Sequence, residues 1–522
     1  MKTPTFIVDK RVTSTVSTLL ISMLLLATPT FAVELADAAR ERDLATVRTL
    51  LKQGADPDAR GQFDTSAIHW LVRYDEVEAV RELLENGADP NLGSGYGVTP
   101  LSMAASNGGA ALVRLLLEAG ADANAKGKSG ESMLMTAAGA GVLGSVQALV
   151  EHGARVDERD SNFGQTPMMV AARAGYAEIV NYLLEQGADP NAATLVVGGE
   201  NWVPPNSQRG YGFGIGIIRG GTPADRGRRD PIPGGMSALL YAARHNHLDV
   251  ARVLLDGGAD INQAEANAIY PLLMAISNKN MAIAQLLVAR GSRINLSDWY
   301  GRSPLWEAVN VRNLYLDSET FENYVDRDAA LELIKVLLEK GADVNARTAE
   351  TPPFRDSYLG VGSLEWVDFT GQTPFLSAAL SGDTTVMKLL LEYGADPKID
   401  TYAGTSPLMA AAGINWVVSQ TYTEDAEHLL EAVKLCFELG MDVNQTNSMG
   451  LTALHGAANR GSNDIIQYLV DHGAKLDALD NENRSALDWA RGVFLATHPA
   501  EEKPESMALL ASLLKEQGME VR

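Results

Sequence analysis

The sequence predicts an all-α solenoid of about twelve stacked helix-turn-helix units, on three observations. A Gly-Ala-Asp tag recurs at a near-constant interval along almost the whole chain. A Ser/Thr-Pro-apolar signature, the mark of a helix start, recurs between the tags. Ala-Ala pairs and Leu-Leu runs fill the segments between the two marks, with only 6% aromatics and 46% hydrophobic residues overall. A periodic chain grows by adding stacked units, so 522 residues need not imply several separate cores.

The tag reads Gly54-Ala55-Asp56-Pro57, Gly87-Ala88-Asp89-Pro90-Asn91, Gly120-Ala121-Asp122-Ala123-Asn124, Gly153-Ala154 and Gly187-Ala188-Asp189-Pro190-Asn191. It continues at Gly258-Ala259-Asp260, Gly291-Ser292, Gly341-Ala342-Asp343, Gly394-Ala395-Asp396, Gly440-Met441-Asp442, Gly473-Ala474 and Gly518-Met519. The first three intervals are 33 residues; several later ones are longer, as a 33-residue unit carrying insertions requires. The tag glycine ends a helix in a left-handed conformation that glycine adopts at little cost.

The second signature reads Thr99-Pro100-Leu101, Thr166-Pro167-Met168, Ser303-Pro304-Leu305, Thr373-Pro374-Phe375, Ser406-Pro407-Leu408 and Thr452-Ala453-Leu454-His455. The hydroxyl caps free N–H groups of a helix start, and proline is preorganised for the first helical position. Pairs such as Ala104-Ala105 and Ala171-Ala172 allow close helix approach. Runs such as Leu115-Leu116-Leu117 and Leu389-Leu390-Leu391 bury the second helix of each unit.

Period and signature together resemble the ankyrin-repeat family over nearly all of residues 34–522. The resemblance implies β-hairpin fingers between the helix pairs and a role as a protein-binding scaffold. Unit one, residues 34–59, lacks a finger and is placed as an N-terminal cap, and the run through Leu513-Leu514 as a C-terminal cap. In this family, contacts come from finger tips and from the exposed end of the first helix. Carried onto this chain, that implies Gly95-Tyr96 with Val98, Asn162-Phe163 with Gln165, and Trp299-Tyr300 with Arg302. Phe369-Thr370 with Gln372 and Tyr402-Ala403 with Thr405 follow, and the helix ends add Ser106-Asn107, Arg173 and Asn459-Arg460. Exposed aromatics in a row suit a protein interface, where these types are enriched; the alternative is that each ring packs on a neighbouring finger.

Five interruptions divide this framework. Repeats 1–5 occupy 33–192, a Gly/Arg/Pro-rich finger insertion 193–233, and repeats 6–12 the remainder to 522, with insertions near 311–328, 347–368, 413–427 and 492–506. Segments 193–233 and 347–368 lengthen fingers; the other three lengthen the turn between a unit's helices. The first insertion alternates bulky residues with glycine (Tyr211, Phe213, Ile215, Ile217) and ends in Arg226, Arg228 and Arg229. Tyr211 and Phe213 are candidate partner contacts, or the loop folds back on the acidic solenoid.

Residues 1–32 read as a secretory signal: Lys2, Lys10 and Arg11, an apolar run Leu19–Ala27, and Thr30-Phe31-Ala32 ahead of a cut before Val33. The apolar run is too short to span a bilayer comfortably. Periplasmic or secreted placement is therefore expected, with no membrane association after cleavage. Net charge is −23, which repels nucleic acid and anionic headgroups and makes a basic protein surface the better match. One cysteine, Cys436, excludes an intramolecular disulfide and reads as a buried apolar residue. No nucleophile elbow, His-Glu-x-x-His or phosphate-binding loop is present. The sequence thus predicts an exported, monomeric protein–protein scaffold without cofactor or metal. Two alternatives are a secreted effector acting on another cell and an enzyme whose pocket the finger insertions build.

Overall fold

The computed structural model describes residues 28–127, 129–196, 233–313, 325–349, 370–415, 424–493 and 501–521, with residues 28–33 described by backbone alone. Tyr211, Phe213, Phe369 and the apolar part of the signal lie outside these residues, as do all but the margins of the five insertions.

Among the described residues twelve helix pairs follow one another, the two helices joined by a short turn except in repeats 8, 10 and 12, where the insertions fall. The first pair is Thr28–Arg40 with Leu44–Lys52, and the twelfth is Ala486–Ala490 with Pro504–Glu516. Two compact units divide them: Met1–Leu195 with Asp256–Ala259, and Val196–Leu255 with Asp260–Arg522. Repeats 1–5 fall in the first and repeats 6–12, save Asp256, in the second.

The helix starts form as the sequence requires. Thr99 Oγ1 accepts from Ser102 N–H at 3.2 Å while Ser102 Oγ accepts from Thr99 N–H at 3.1 Å, a reciprocal cap ahead of Pro100. Ser303, Thr373 and Ser406 cap in one direction, their hydroxyls accepting from Trp306, Leu376 and Met409 N–H. Each second helix ends on the tag glycine. At Gly120, φ is +95° and a Cβ would meet nothing within 4 Å, so conformation alone requires glycine there.

Within each unit, first helices pack on first helices and second on second, giving two rows. Their shared core is small and aliphatic: Ala104, Ala105, Leu112, Val113 and Leu116 in repeat 3, and Leu408, Ala410, Ala411, Ala432 and Val433 in repeat 10. Cys436 is buried in that row, and burial pushes its thiol up, away from the reactive thiolate.

The tag asparagine joins one repeat to the next. Asn91 Oδ1 accepts from Asp122 N–H at 2.8 Å and its Nδ2 donates to Gly120 C=O at 3.0 Å. Asn124, Asn345 and Asn444 make the same paired contact to the following tag. Among the described residues the fingers carry single antiparallel bridges, such as Arg60 with Ser66 and Leu479 with Ser485, rather than named strands. No helix among these residues is long and apolar enough to cross a membrane.

Candidate partner-binding surface

The finger tips are tight turns whose N–H groups are satisfied by one side chain at the turn's start. Asp160 Oδ1 accepts from Asn162 and Phe163 N–H at 2.8 and 2.6 Å, and its Oδ2 from Gln165 N–H at 2.8 Å. Asp480 does the same for Glu482 and Arg484, and Asn447 for Met449 and Leu451. With its polar groups consumed inside the turn, a tip is left to present its apolar side chain.

Neighbouring tips are tied together through the main chain. Gly95 N–H donates to Asp64 C=O at 3.0 Å and Leu195 N–H to Phe163 C=O at 2.8 Å in the first unit. In the second unit Ala349 pairs with Tyr300, Tyr402 with Thr370, Ser448 with Ala403, and Asn481 with Met449. Tip side chains therefore stand on a hydrogen-bonded platform and not on loose loops.

In the first unit three aromatic tips are exposed: Phe63 at 68%, Tyr96 at 67% and Phe163 at 60%. Phe63 escaped the sequence reading. It stands in the Gly61–Thr65 turn with φ +60°, followed by Asp64 at +54°, two non-glycine residues in the left-handed region. The signal that could have found it is an aromatic three residues ahead of the Ser66 cap, the same offset as Phe163 before Thr166 and Tyr96 before Thr99.

The second unit is different. Trp299 keeps a third of its surface and Tyr402 about half, but Arg347 stacks 4.2 Å from the Tyr402 ring centroid. Tyr300 and Arg302 are buried, at 7% and 6%, which corrects their assignment as partner contacts. The reason is electrostatic. Arg302 is held by Asp298, 2.6 Å away, and by Glu307 at 3.5 Å, both themselves buried. Arg460, read as an exposed helix end, donates to Ala411 C=O at 2.9 Å and Leu380 C=O at 3.2 Å, and burial of its guanidinium pushes it down to about 9.

The first-helix rows of the two units also differ. In repeats 2–5 the row leaves a face open: Trp70, Met103, Thr136 and Val170 are half-buried, and Arg73, Ser106, Gly139 and Arg173 are exposed. In repeats 7, 9 and 10 the helices Pro271–Ser277, Pro374–Ser381 and Pro407–Ala412 are buried at every position. On the first helices of repeats 8 and 9 even Glu307 and Ser377, at the register of Trp70, are buried. That face is not accessible to a partner, whereas the face of repeats 2–5 is.

The arrangement offers a row of apolar tips and an open helical face, with no cluster of titratable groups among the described residues that would suit metal binding. A family model, ankyrin repeats (3 copies), matches residues 35–127, 120–194, 239–348 and 421–492, and a single ankyrin-repeat model matches 370–399. The chain belongs to the ankyrin-repeat family. Ankyrin repeats generally bind protein partners, and the fold typically serves as a non-enzymatic scaffold.

The ankyrin region is 26% identical over 170 residues to alpha-latrocrustotoxin-Lt1a of Latrodectus tredecimguttatus, covering 33% of this chain and 10% of that protein. It is 34% identical over 137 residues to the human ankyrin repeat domain-containing protein 63, covering 26% and 28% of the two chains. The crystal structure of the human ASB11 ankyrin repeat domain matches at a TM-score of 0.38 and 24% identity, over 50% of this chain and 98% of that one. The chain thus spans about a tenth of the length of the first of these curated relatives and a little over a quarter of the second.

Proposed function

We propose that this ankyrin-repeat protein is an exported scaffold that binds a partner protein through its first unit, with Phe63, Tyr96 and Phe163 as anchors and the open face of repeats 2–5 as the adjoining surface. The observation that carries this reading is the exposure of these three rings on hydrogen-bonded tips. Three solvated aromatics on a rigid platform cost apolar exposure without stabilising the chain, and such residues dominate binding energy once covered. Trp299 and Tyr402 supply secondary contacts, and Arg173 borders the open face.

Residues 1–32 support export. Cleavage after Ala32 leaves Leu35, Ala36, Ala38 and Ala39, the buried residues described on the first helix, in the mature chain. N-terminal sequencing of protein recovered outside the cytoplasm should begin at Val33; a chain that retains Met1 there contradicts the signal reading.

Site-specific photocrosslinking tests the surface. A crosslinker replacing Tyr96 or Phe163 should trap one discrete partner, and one replacing Tyr393, an exposed aromatic just after the second helix Thr384–Glu392 of the other unit, should not. Equal trapping at all three positions would overturn the assignment.

A further inference from the structure

In the second unit the interhelical insertions of repeats 8 and 10 join the solenoid on either side of one short turn, Ser381-Gly382-Asp383 of repeat 9. That turn is bonded to both. Arg312 closes the first helix of repeat 8, and Arg327 opens the second helix, Arg327–Glu339, where the chain returns from the insertion. Arg312 Nε donates to Asp383 Oδ2 at 2.8 Å, and its Nη1 donates to the Arg327 C=O. The two ends of the first insertion are thus tied to each other and to repeat 9. On the other side, Glu424 stands where the chain returns to the second helix of repeat 10, Ala426–Glu438. Its N–H donates to the Ser381 C=O at 3.0 Å.

One ion pair closes the circuit. Arg327 Nη2 lies 2.5 Å from Glu424 Oε1, across 97 residues of chain, and 3.7 Å from Asp383 Oδ2. Two guanidiniums therefore face two carboxylates around the turn of repeat 9. Arg312 and Asp383 form the buried base of this network, whereas Arg327 and Glu424 are about a quarter exposed at its rim. The helix Ala426–Glu438 sits directly on the turn: a Cβ on Gly382 would stand 2.9 Å from the Leu429 side chain. At the corresponding junction of the first unit, Arg42 pairs with Glu76, but Arg42 is more than half exposed and the contact is solvated. A pair withdrawn from water holds its geometry more firmly, because losing one partner strands a buried charge.

We propose that this network makes the two interhelical insertions one conformational unit. The roots of 311–328 and 413–427 order together and are released together, and a change at either is transmitted to the other through Arg327, Asp383 and Glu424. The rim pair is the point of entry, since an incoming charged group meets Arg327 and Glu424 before it meets the buried base. Coupling of this kind is reciprocal, so the effect runs equally from repeat 8 to repeat 10 and back. It spans three repeats, whereas the tag asparagines link only adjacent ones. Insertions on a rigid scaffold are where function concentrates, and here two of them answer to one set of charges.

The test is hydrogen exchange read by mass spectrometry on the intact chain, following peptides over 311–328 and 413–427, with 238–256 of repeat 6 as the reference. Glu424→Gln keeps the shape of the side chain and removes its charge. It should speed exchange in both insertion peptides roughly two- to tenfold, the range between an exposed and a buried ion pair, and leave the reference at the parent's rate. Arg327→Gln should do the same from the other side. The double variant should exchange no more than about twofold faster than either single one, because both remove one shared contact. Faster exchange confined to 413–427 in Glu424→Gln would overturn the proposal, as would unchanged exchange in both peptides. Single effects that multiply in the double variant would also overturn it. An equal rise in 238–256 would do so too, since it marks general loss of stability and not a link between the two insertions.

Discussion

Asn124 grips Gly153 of the next repeat: its Nδ2 donates to the Gly153 C=O at 3.0 Å while its Oδ1 accepts from the Arg155 N–H, 3.1 Å away. The amide satisfies one orphan carbonyl and one orphan N–H at a helix end, and couples repeat 3 to repeat 4. Asn124→Ala should cost about 1 kcal/mol of local stability, since both contacts are solvent-facing. Native-state hydrogen exchange should show faster opening on both sides of the break; protection unchanged in repeat 4 would contradict the coupling.

Gly120 separates conformation from space. Its Cβ position is empty and its φ is +95°, so Gly120→Ala should destabilise by about 1 kcal/mol through backbone alone. Asn at the same position should cost less, because Asn tolerates this region better, and comparing the two thermal midpoints checks the assignment.

Arg312 and Asp383 form a buried pair in the second unit, with Nε 2.8 Å from Oδ2 and both side chains under a tenth exposed. Asp383 also caps the following helix through Val386 N–H. Asp383→Ala should cost about 3–5 kcal/mol, because it strands a buried guanidinium. Arg312→Met in the same chain should recover part of the loss, measured by denaturant midpoint; no recovery would show that the cap, and not the pair, carries the energy.

Histidine sets a pH dependence in both units. His69 bridges Ser66 Oγ at 2.9 Å and Val98 C=O at 3.0 Å, and His455 sits between Thr452 Oγ1 and Arg484 C=O. Burial lowers the pKa of each below the ordinary 6.5, so the folded state favours neutral imidazole. The unfolded chain then binds more protons as pH falls through 6.5, and stability present above that value is lost below it. The double variant His69→Gln, His455→Gln should flatten the slope of melting temperature between pH 7.5 and 5.5; a slope equal to the parent's would contradict it.

The repeat itself was legible because each helix start and stop is a local chemical event: Thr99 and Pro100 at one end, Gly120 at the other. The tag asparagine's role was not, since Asn91 and Asn124 act on the following repeat and no local pattern reveals a partner about 30 residues away. Tip exposure was legible at Tyr96 and Phe163 but not at Tyr300, where Asp298 and Glu307 draw Arg302 inward. The burial of Glu307 and Ser377 on the first helices of repeats 8 and 9 was least legible, because both are polar types that a sequence reading places in solvent.

The central claim is that Tyr96 and Phe163 anchor a partner protein. Once a crosslinked partner is identified and purified, its Kd for the intact chain and for the Tyr96→Ala, Phe163→Ala double variant tests that claim most directly. Two anchors of the usual strength predict a loss of roughly thirtyfold or more, with Tyr393→Ala unaffected. A double variant that folds normally and binds as tightly as the parent would contradict it.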